Sequence, residues 1–332
     1  MGQIVRQVRN NRRQRTHGTH GITLPVIDPG HIPVLVEPIL QLLDPQAGQL
    51  VLDCTIGRGG HGEQLIPRIA PGGRYIGLDL DPGNVAFATK RLEILAAKHQ
   101  VDLAVMHANF TDVRQILNAA NASAADVVLA DLGFSSNQMD DPRRGLSFQA
   151  DGPLDMRLDP TAPTTAAELV NRLPQPQLAD LLYQLSDERL SRKIARKIVQ
   201  ARHRVPIKST GELADLVRRA YGSAGGRLRR SRIDPATRTF LSLRIAVNRE
   251  LEALENLLQA LPDLAADGAR IGIISFHSQE DRRVKNIFRN WEANGLARRL
   301  VRKPVTAEDA ERVANPRSRS AKFRAVQWQT AC

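Results

Sequence analysis

The feature that most constrains the fold is an alternation of short apolar segments with helical patterns, which begins near Gln49. The apolar segments that indicate strands cover residues 50–56, 74–80, 101–107, 126–132 and 269–275. The helical patterns between the first four cover residues 62–70, 82–98 and 111–120. Strands that alternate with helices in this way build a parallel sheet with helices on both faces. We therefore expect an α/β fold.

The fourth and fifth predicted strands are separated by about 135 residues, far more than one crossover connection needs. Residues 140–165 are rich in Pro, Gly and Asp and are expected to form loops, and residues 166–220 are expected to form several helices. Residues 236–261 are predicted to form one long amphipathic helix that stops before Pro262. We therefore predict an inserted helical domain at residues 140–235.

The remaining segments complete the predicted organisation. Residues 298–305 and 321–329 are expected to form an antiparallel pair of strands that closes the sheet. Residues 31–139 and 236–332 then form the domain that carries the sheet. Residues 1–30 are rich in Arg and Asn and are expected to be a basic, disordered arm.

A glycine loop follows the first predicted strand, within LVLDCTIGRGGHGEQL at residues 50–65. Gly57, Gly59 and Gly62 match G-x-G-x-x-G, in which glycines let the backbone turn tightly and approach a ligand. Dinucleotide sites share this pattern, but Asp53 in the preceding strand would repel a pyrophosphate. An acid beside the loop suits a positively charged ligand, and S-adenosylmethionine carries both an ammonium and a sulfonium. The loop alone leaves the two ligand classes open.

Ligands of open parallel sheets bind beyond the carboxyl ends of the strands, and chemically useful side chains follow several predicted strands there. Asp79 is placed to accept both hydroxyls of a ribose, because Asp81 already fills the alternative role of helix N-cap. Asp131 ends the fourth strand, where an unpaired buried carboxylate would be costly, and this favours a functional role. Phe110 either stacks on an adenine or packs in the core. His277 is a base, an RNA contact or a structural residue.

The charge distribution indicates a polyanionic partner. The chain has a formal net charge of +12, and its positive charge is concentrated in three segments. Residues 186–232 contain 14 Lys and Arg against 4 Asp and Glu, residues 297–324 contain 9 against 3, and residues 1–27 contain 5 Arg and no acid. This segregation favours nucleic acid over a membrane surface as the partner.

Residues 187–204 are predicted to form a helix with an apolar stripe and a basic opposite face. The stripe comprises Leu190, Ile194, Ile198 and Ala201, and the basic side chains are Arg189, Arg192, Lys193, Arg196, Lys197 and Arg204. Four more arginines lie between Arg227 and Arg232, after two glycines. A basic helix beside a basic loop suits a track for phosphates, and the alternative is a solvated cationic surface.

The two cysteines, Cys54 and Cys332, provide neither a disulfide framework nor a zinc cluster, and we expect no metal site. No apolar run approaches the roughly 18 residues of a membrane span, and no secretory signal is present. We expect a cytoplasmic protein without membrane contact. A mitochondrial transit peptide is a weaker interpretation of the acid-free N-terminal stretch.

Seven stretches of the sequence resemble the ribosomal RNA small subunit methyltransferase H family, the S-adenosylmethionine-dependent cytosine-N4 methyltransferases. They are HIPVLVEPIL (31–40), DCTIGRGGHG (53–62), GLDLDP (77–82), DLGFSSNQMDDPRRGLSFQADGPLDMRLD (131–159), DPATRTFLSLRIAVNREL (234–251), ISFHSQEDRRVK (274–285) and NPRSRSAKFRA (315–325). The sequence departs from the family at Gly62, Phe134 and Gln279, where the family usually has Ser, Val and Leu.

The resemblance implies a Rossmann-like class I methyltransferase sheet with an inserted helical domain that recognises RNA. It implies the cofactor S-adenosylmethionine, with contacts from Gly59, Gly60, His61, Asp79, Phe110, Asp131 and Gln138. It implies methyl transfer to the N4 amine of a cytidine in the decoding region of small-subunit (16S) rRNA, with the 30S subunit as partner. Asp131, together with a nearby backbone carbonyl, is the expected catalytic group, because these oxygens can accept hydrogen bonds from the weakly nucleophilic amine.

Three alternatives remain at this point. A nicotinamide dehydrogenase would share the glycine loop and Asp79, but it leaves Asp53, the motif at Asp131 and the basic insertion unexplained. A non-catalytic ribosome assembly factor would share the charge pattern without needing an intact cofactor pocket. A methyltransferase that acts on another RNA would share both.

Overall fold

The computed structural model describes residues 32–222 and 234–329. The predicted arm at 1–30 and the arginine cluster at 227–232 lie outside the described residues. The strands are β1 (Leu50–Asp53), β2 (Arg74–Asp79), β3 (Asp102–His107), β4 (Ala125–Asp131), β5 (Ala265–Ser275), β6 (Ala297–Arg299) and β7 (Lys322–Trp328).

The helices are α1 (Val36–Leu43), α2 (Gly60–Leu65), α3 (Pro82–His99), α4 (Val113–Ala119), α5 (Ser136–Asp140), α6 (Ala166–Arg172), α7 (Gln175–Ser186), α8 (Ser191–Arg202), α9 (Thr210–Gly222), α10 (Ala236–Asn248), α11 (Glu250–Ala260), α12 (Ser278–Ala293) and α13 (Asp309–Ala314). Within the described ranges, none of these helices combines the length and the apolar composition that crossing a membrane requires.

The seven strands form one sheet in the order β3-β2-β1-β4-β5-β7-β6. Strands β1 to β5 pair in parallel, and β7 lies antiparallel between β5 and β6. The predicted α/β fold of Rossmann-like class I methyltransferase type is confirmed, and so is the antiparallel closure by the last two strands. The strand order reverses between β1 and β4, and this reversal is the switch point where open α/β sheets bind ligands.

Successive residues of each central strand point to opposite faces of the sheet, and each face carries its own hydrophobic core. On one face, Leu52 and Val128 belong to a cluster that includes buried residues of α4, α11 and α12. On the other face, Val51 and Leu129 belong to a cluster that includes buried residues of α1, α2 and α3. The sheet is therefore buried on both sides, as its near-continuous apolar strands require.

A third hydrophobic core lies among the helices that follow β4 in the chain. Its buried residues come from α6, α7, α8, α9 and α10, together with the segment 146–158. Helix α10, which the sequence pattern groups with the sheet, thus shares its core with α6 to α9. The assignment of residues 140–235 to an inserted RNA-recognition domain stays a prediction.

The prediction of one helix over residues 236–261 is wrong. The helix is interrupted at Arg249, whose φ of 50° lies in the left-handed region, and α11 begins at the next residue. The side chain of Asn248 explains the position of the break. Its amide donates a 2.9 Å hydrogen bond to the Met156 carbonyl and accepts a 2.7 Å bond from the Leu158 amide. These bonds tie the end of α10 to the loop before α6, and α11 leaves in a new direction along the sheet.

Candidate active site

A cavity opens at the carboxyl ends of the parallel strands, beside the switch point. It encloses about 1030 Å³ of space, its open mouth and the adjoining solvent included. The loops after β1, β2, β3, β4 and β5 all contribute to its lining. The far wall comes from the α10–α11 junction and includes Asn248, Glu250 and Ala253. One space is therefore bounded both by the sheet edge and by the start of α11.

The glycine loop after β1 shapes one side of the cavity. Gly57 and Gly59 have φ values of 53° and 81°, which favour glycine at both positions. A Cβ at Gly62 would lie 2.7 Å from Cδ1 of Leu92 and 3.1 Å from the Tyr75 hydroxyl oxygen. The G-x-G-x-x-G spacing thus provides two left-handed residues and a close approach of α2 to α3. Gly57 and Gly60 line the cavity, whereas Gly59 is not among the lining residues.

Asp79 is the last residue of β2 and lines the cavity, and its carboxylate already accepts hydrogen bonds from the protein. Its Oδ2 accepts a 2.9 Å bond from the Gly57 amide, and its Oδ1 accepts a 2.8 Å bond from the Asp81 amide. The side-chain amide of Asn84 lies 3.3 Å from both oxygens. Burial raises the pKa of Asp79 to about 6 although these bonds favour the charged form. The carboxylate therefore holds the glycine loop against β2, and its contact with a ribose stays a prediction.

Asp131 and His61 face each other at the centre of the site. The Nε2 atom of His61 lies 3.4 Å from Oδ2 of Asp131, and both residues line the cavity. The backbone amide of Asp131 donates a 2.6 Å bond to the Thr55 hydroxyl, which fixes the end of β4 against the loop after β1. Oδ1 of Asp131 and Nε2 of His61 are buried without a hydrogen-bond partner among the described residues. Such atoms suit a polar ligand, because leaving them unpaired is costly.

Asp53 does not line the cavity, contrary to the expectation that its charge meets the ligand. Its Oδ2 accepts a 2.5 Å bond from the Tyr75 hydroxyl, and its Oδ1 accepts a 3.0 Å bond from the Thr55 amide. Burial raises the pKa of Asp53 above its ordinary value. The alternation of side chains along β1 explains the difference, because Asp53 points to the same face as Val51, towards α2 and α3.

The other residues proposed from the sequence also border the cavity. Phe110 lines it and packs against the first hydrophobic cluster. Gln138 lines it with a buried amide, which donates a 2.9 Å bond to Asp81 and accepts a 2.9 Å bond from the Ser135 amide. The structure thus places six of the seven proposed contact residues on the cavity, all but Gly59. Their contacts with a cofactor stay predictions.

The far wall carries a charged pair that the sequence reasoning missed. Nε and Nη2 of Arg244 donate bonds of 2.8 and 2.9 Å to Oε1 and Oε2 of Glu250. The guanidinium also lies 4.6 Å from the centre of the Phe134 ring, which lines the cavity with Glu250. Burial lowers the pKa of Arg244, but the charge and hydrogen bonds of Glu250 together with the charge of Glu280 outweigh burial and raise the pKa overall. Glu250 and Arg244 lie within the family-like stretch 234–251, but the sequence predicts them in one continuous helix, which gives no reason to place Glu250 at the cavity.

His277 and Glu280 lie next to this pair. The Nε2 atom of His277 is 3.0 Å from Oε1 of Glu280, and Oε2 of Glu280 accepts a 2.9 Å bond from the Phe276 amide. Burial raises the pKa of Glu280, but His277 and Arg244 outweigh it and lower the pKa overall. Ligand atoms of Glu250, His277 and Glu280 lie within 4.8 Å of one another, a spacing that could hold a cation. Arg244 already supplies a positive charge there, and the expectation of no metal site stays a prediction.

Helix α8 carries the basic surface that the sequence predicts. Ile194 and Ile198 are fully buried, so the apolar stripe faces the third core. We call four side chains the α8 basic face: Arg192, Lys193, Arg196 and Lys197. Two of these are exposed and two are half-buried. None of them forms an ion pair with another residue in the described part of the chain. Their positive charge is therefore available to an external partner.

Comparison with known proteins gives a consistent result. Residues 28–329 match the model of the MraW methylase family. The chain is 42% identical over 314 residues to the "Ribosomal RNA small subunit methyltransferase H" of Syntrophobacter fumaroxidans, a match that covers 90% of this chain and 96% of the relative. It is 45% identical over 306 residues to a protein of the same name from a Synechococcus species, with 91% and 98% covered. The matches extend over the sheet and the helices that follow β4.

Proposed function

Because this chain belongs to the MraW methylase family, we propose that it transfers a methyl group from S-adenosylmethionine to the N4 amine of a cytidine in small-subunit (16S) rRNA. Its named relatives are small-subunit rRNA methyltransferases. The observation that carries the proposal is the cavity at the switch point, where Asp131 and His61 present unpaired polar atoms. A dehydrogenase or a non-catalytic assembly factor has no comparable support.

The residues present fit S-adenosylmethionine. Oδ1 of Asp131 is a buried acceptor that lacks a partner among the described residues, and an ammonium can donate to it. Asp79 offers a carboxylate to ribose hydroxyls, and Phe110 offers an apolar ring to the adenine. When bound, the cofactor supplies a methyl group that is activated by a positively charged sulfur.

The protein's contribution to the chemistry is positioning and proton transfer. The lone pair of the cytosine amine is delocalised into the ring, so the amine is a weak nucleophile. A carboxylate that accepts a hydrogen bond from the amine localises this lone pair, and we assign that role to Asp131. The nitrogen must lose a proton as it gains the methyl group, and Asp131 is the assigned acceptor. We assign His61, whose Nε2 lies 3.4 Å from Oδ2, to positioning the Asp131 carboxylate in the loaded site.

Access to the cavity requires the target cytosine to leave its stack, because the amine of a stacked base cannot reach the end of such a pocket. The α8 basic face is the surface that we assign to the RNA phosphates. We further propose the 30S subunit as the natural partner and the cytoplasm as the site of action.

The experiment that tests this function is methyl transfer from isotope-labelled S-adenosylmethionine to small ribosomal subunits that lack the modification. The product is mapped by nuclease digestion and mass spectrometry. The expected result is one methylated cytidine in small-subunit rRNA, with the label on N4. Stoichiometric binding of the subunit without any methyl transfer would instead identify a non-catalytic assembly factor. Label in a different RNA would correct the substrate.

A further inference from the structure

The far wall of the cavity is not used by the cofactor contacts or by Asp131. Besides Asn248 and Ala253 it includes Glu250, which lines the cavity together with the Phe134 ring, and Arg244 contacts both of these side chains. A purely structural ion pair between two helix ends has no need to border a ligand cavity. The chemistry of this wall therefore needs its own explanation.

The Glu250 carboxylate is held in one orientation and still has acceptor capacity. Each of its oxygens receives one N–H of Arg244, and an ionised carboxylate has about four lone-pair sites in total. The bidentate geometry restrains the group, and its side chain keeps 12% of its surface exposed on the cavity side of α11. The carboxylate can therefore accept further hydrogen bonds without losing Arg244.

The other carboxylates of the cavity are less suitable for reading a base. Asp79 already accepts from the amides of Gly57 and Asp81 and from Asn84, and its remaining acceptor capacity is assigned to the ribose hydroxyls. Glu280 is occupied by the Phe276 amide and lies against His277. Asp131 lies 3.4 Å from His61 and is already assigned to the methyl transfer itself.

The Phe134 ring gives the same wall a surface for a flat base. The ring lines the cavity, and the Arg244 guanidinium lies over it at 4.6 Å from the ring centre. A base that has left its stack is stabilised by contact with an aromatic side chain. One residue, Arg244, thus orders both the ring and the carboxylate.

We propose that Glu250 recognises the target base as cytosine, by accepting a hydrogen bond from its exocyclic amine while the base lies against Phe134. A carboxylate is an acceptor only, so it suits the amine of cytosine and repels the carbonyl oxygen that uracil has at the same position. The amine has two N–H donors, and the carboxylates of Glu250 and Asp131 both line the cavity to receive them. This inference rests on the proposed function. Glu250 is a specificity-determining residue in it, and Arg244 is its positioning residue.

The test compares RNA fragments that contain the mapped methylation site with cytidine or uridine at the target position. We expect the wild-type protein to bind the uridine fragment at least about tenfold more weakly than the cytidine fragment. The measure is the inhibition constant of the uridine fragment, compared with the KM of the cytidine fragment. In Glu250→Gln, whose amide can also donate to a carbonyl, this preference should fall below about threefold. The kcat should fall at least about tenfold, while the Kd of S-adenosylmethionine changes by less than about threefold.

The matched control is Glu255→Gln. Glu255 is on the same helix and forms an ion pair with Arg283, but it does not line the cavity. This variant should keep the wild-type preference and kcat. Glu250→Asp, which retains a carboxylate, should keep a preference for cytidine even if its activity is lower.

The outcomes separate the two proposals. A wild-type protein without a preference for the cytidine fragment overturns the base-reading role, and this result needs no variant. So does a Glu250→Gln protein that melts at the wild-type temperature and keeps the full preference for the cytidine fragment. Failure of the wild-type protein to methylate small subunits would overturn the proposed function itself.

Discussion

The pH dependence of cofactor binding tests the role of Asp79 directly. Burial raises the pKa of this carboxyl group to about 6 in the free protein. Ribose hydroxyls that donate to it favour the ionised form, so binding lowers the pKa. The affinity for S-adenosylmethionine should therefore be highest well above pH 6 and should fall as the pH drops through 6. This is the direction expected when the ligand binds only the deprotonated group.

The magnitude follows from the fraction of protein that is ionised. At about pH 5 a group with a pKa of about 6 is roughly one-tenth ionised, so the Kd should rise about tenfold relative to pH 8. Near pH 5.5 binding should release up to about one proton per site. Calorimetric titration in two buffers with different ionisation enthalpies measures both the Kd and the number of protons released.

The control variant for this measurement is Asp79→Asn, which keeps a hydrogen-bond acceptor of similar size. Its affinity should be at least about tenfold lower at pH 8, because each charge-assisted bond contributes roughly 1.5–3 kcal/mol. It should also lose the pH dependence that Asp79 causes. A wild-type Kd that is constant from about pH 5 to 7.5, with no proton release, would refute the reasoning.

Three further predictions concern other parts of the molecule. Asp131→Asn should lower turnover more than it lowers RNA affinity, and full rescue of the initial rate by excess S-adenosylmethionine would assign Asp131 to cofactor binding instead. Gly77→Ala should destabilise the fold by roughly 1–3 kcal/mol in denaturant titrations, because the new Cβ would lie 2.2 Å from Cδ1 of Ile56 in the glycine loop; an unchanged midpoint would contradict this. Replacing the α8 basic face by glutamines should leave cofactor affinity intact. It should weaken binding to small subunits and reduce the salt dependence by about 0.7–0.9 log units for each phosphate that is no longer neutralised, whereas an unaltered slope would exclude this face from RNA binding.

Much of the fold could be predicted from local patterns. The five parallel strands lie within a few residues of their predicted positions, because a short apolar run bounded by Gly, Pro or Asp is a local signal. The start of α3 is an example, since Asp81 caps the helix and Pro82 is its first residue. Residues that follow such strands share one edge of the sheet, which is why the sequence located Asp79, Phe110 and Asp131 on one cavity.

The errors came from contacts between distant segments. The helical periodicity of the sequence continues through Asn248 and Arg249. The helix nevertheless ends there, because the Asn248 side chain forms hydrogen bonds with Met156 and Leu158, which lie 92 and 90 residues earlier in the chain. The same break places Glu250 at the cavity. Asp53 was misjudged because its charge was visible in the sequence, whereas its hydrogen bond with Tyr75 was not.

By itself, the sequence determined the α/β class, the glycine loop, the strand-end residues and the family to which the chain belongs. These depend on residues that are close along the chain or on motifs matched position by position. Only the tertiary structure decided which carboxylates face the cavity and which are occupied by other groups. Glu250 of α11 meets Arg244 of α10, and Asp131 at the end of β4 meets His61 of α2. The free energy of a buried charge depends on such partners, and their positions are set by how all the layers pack together.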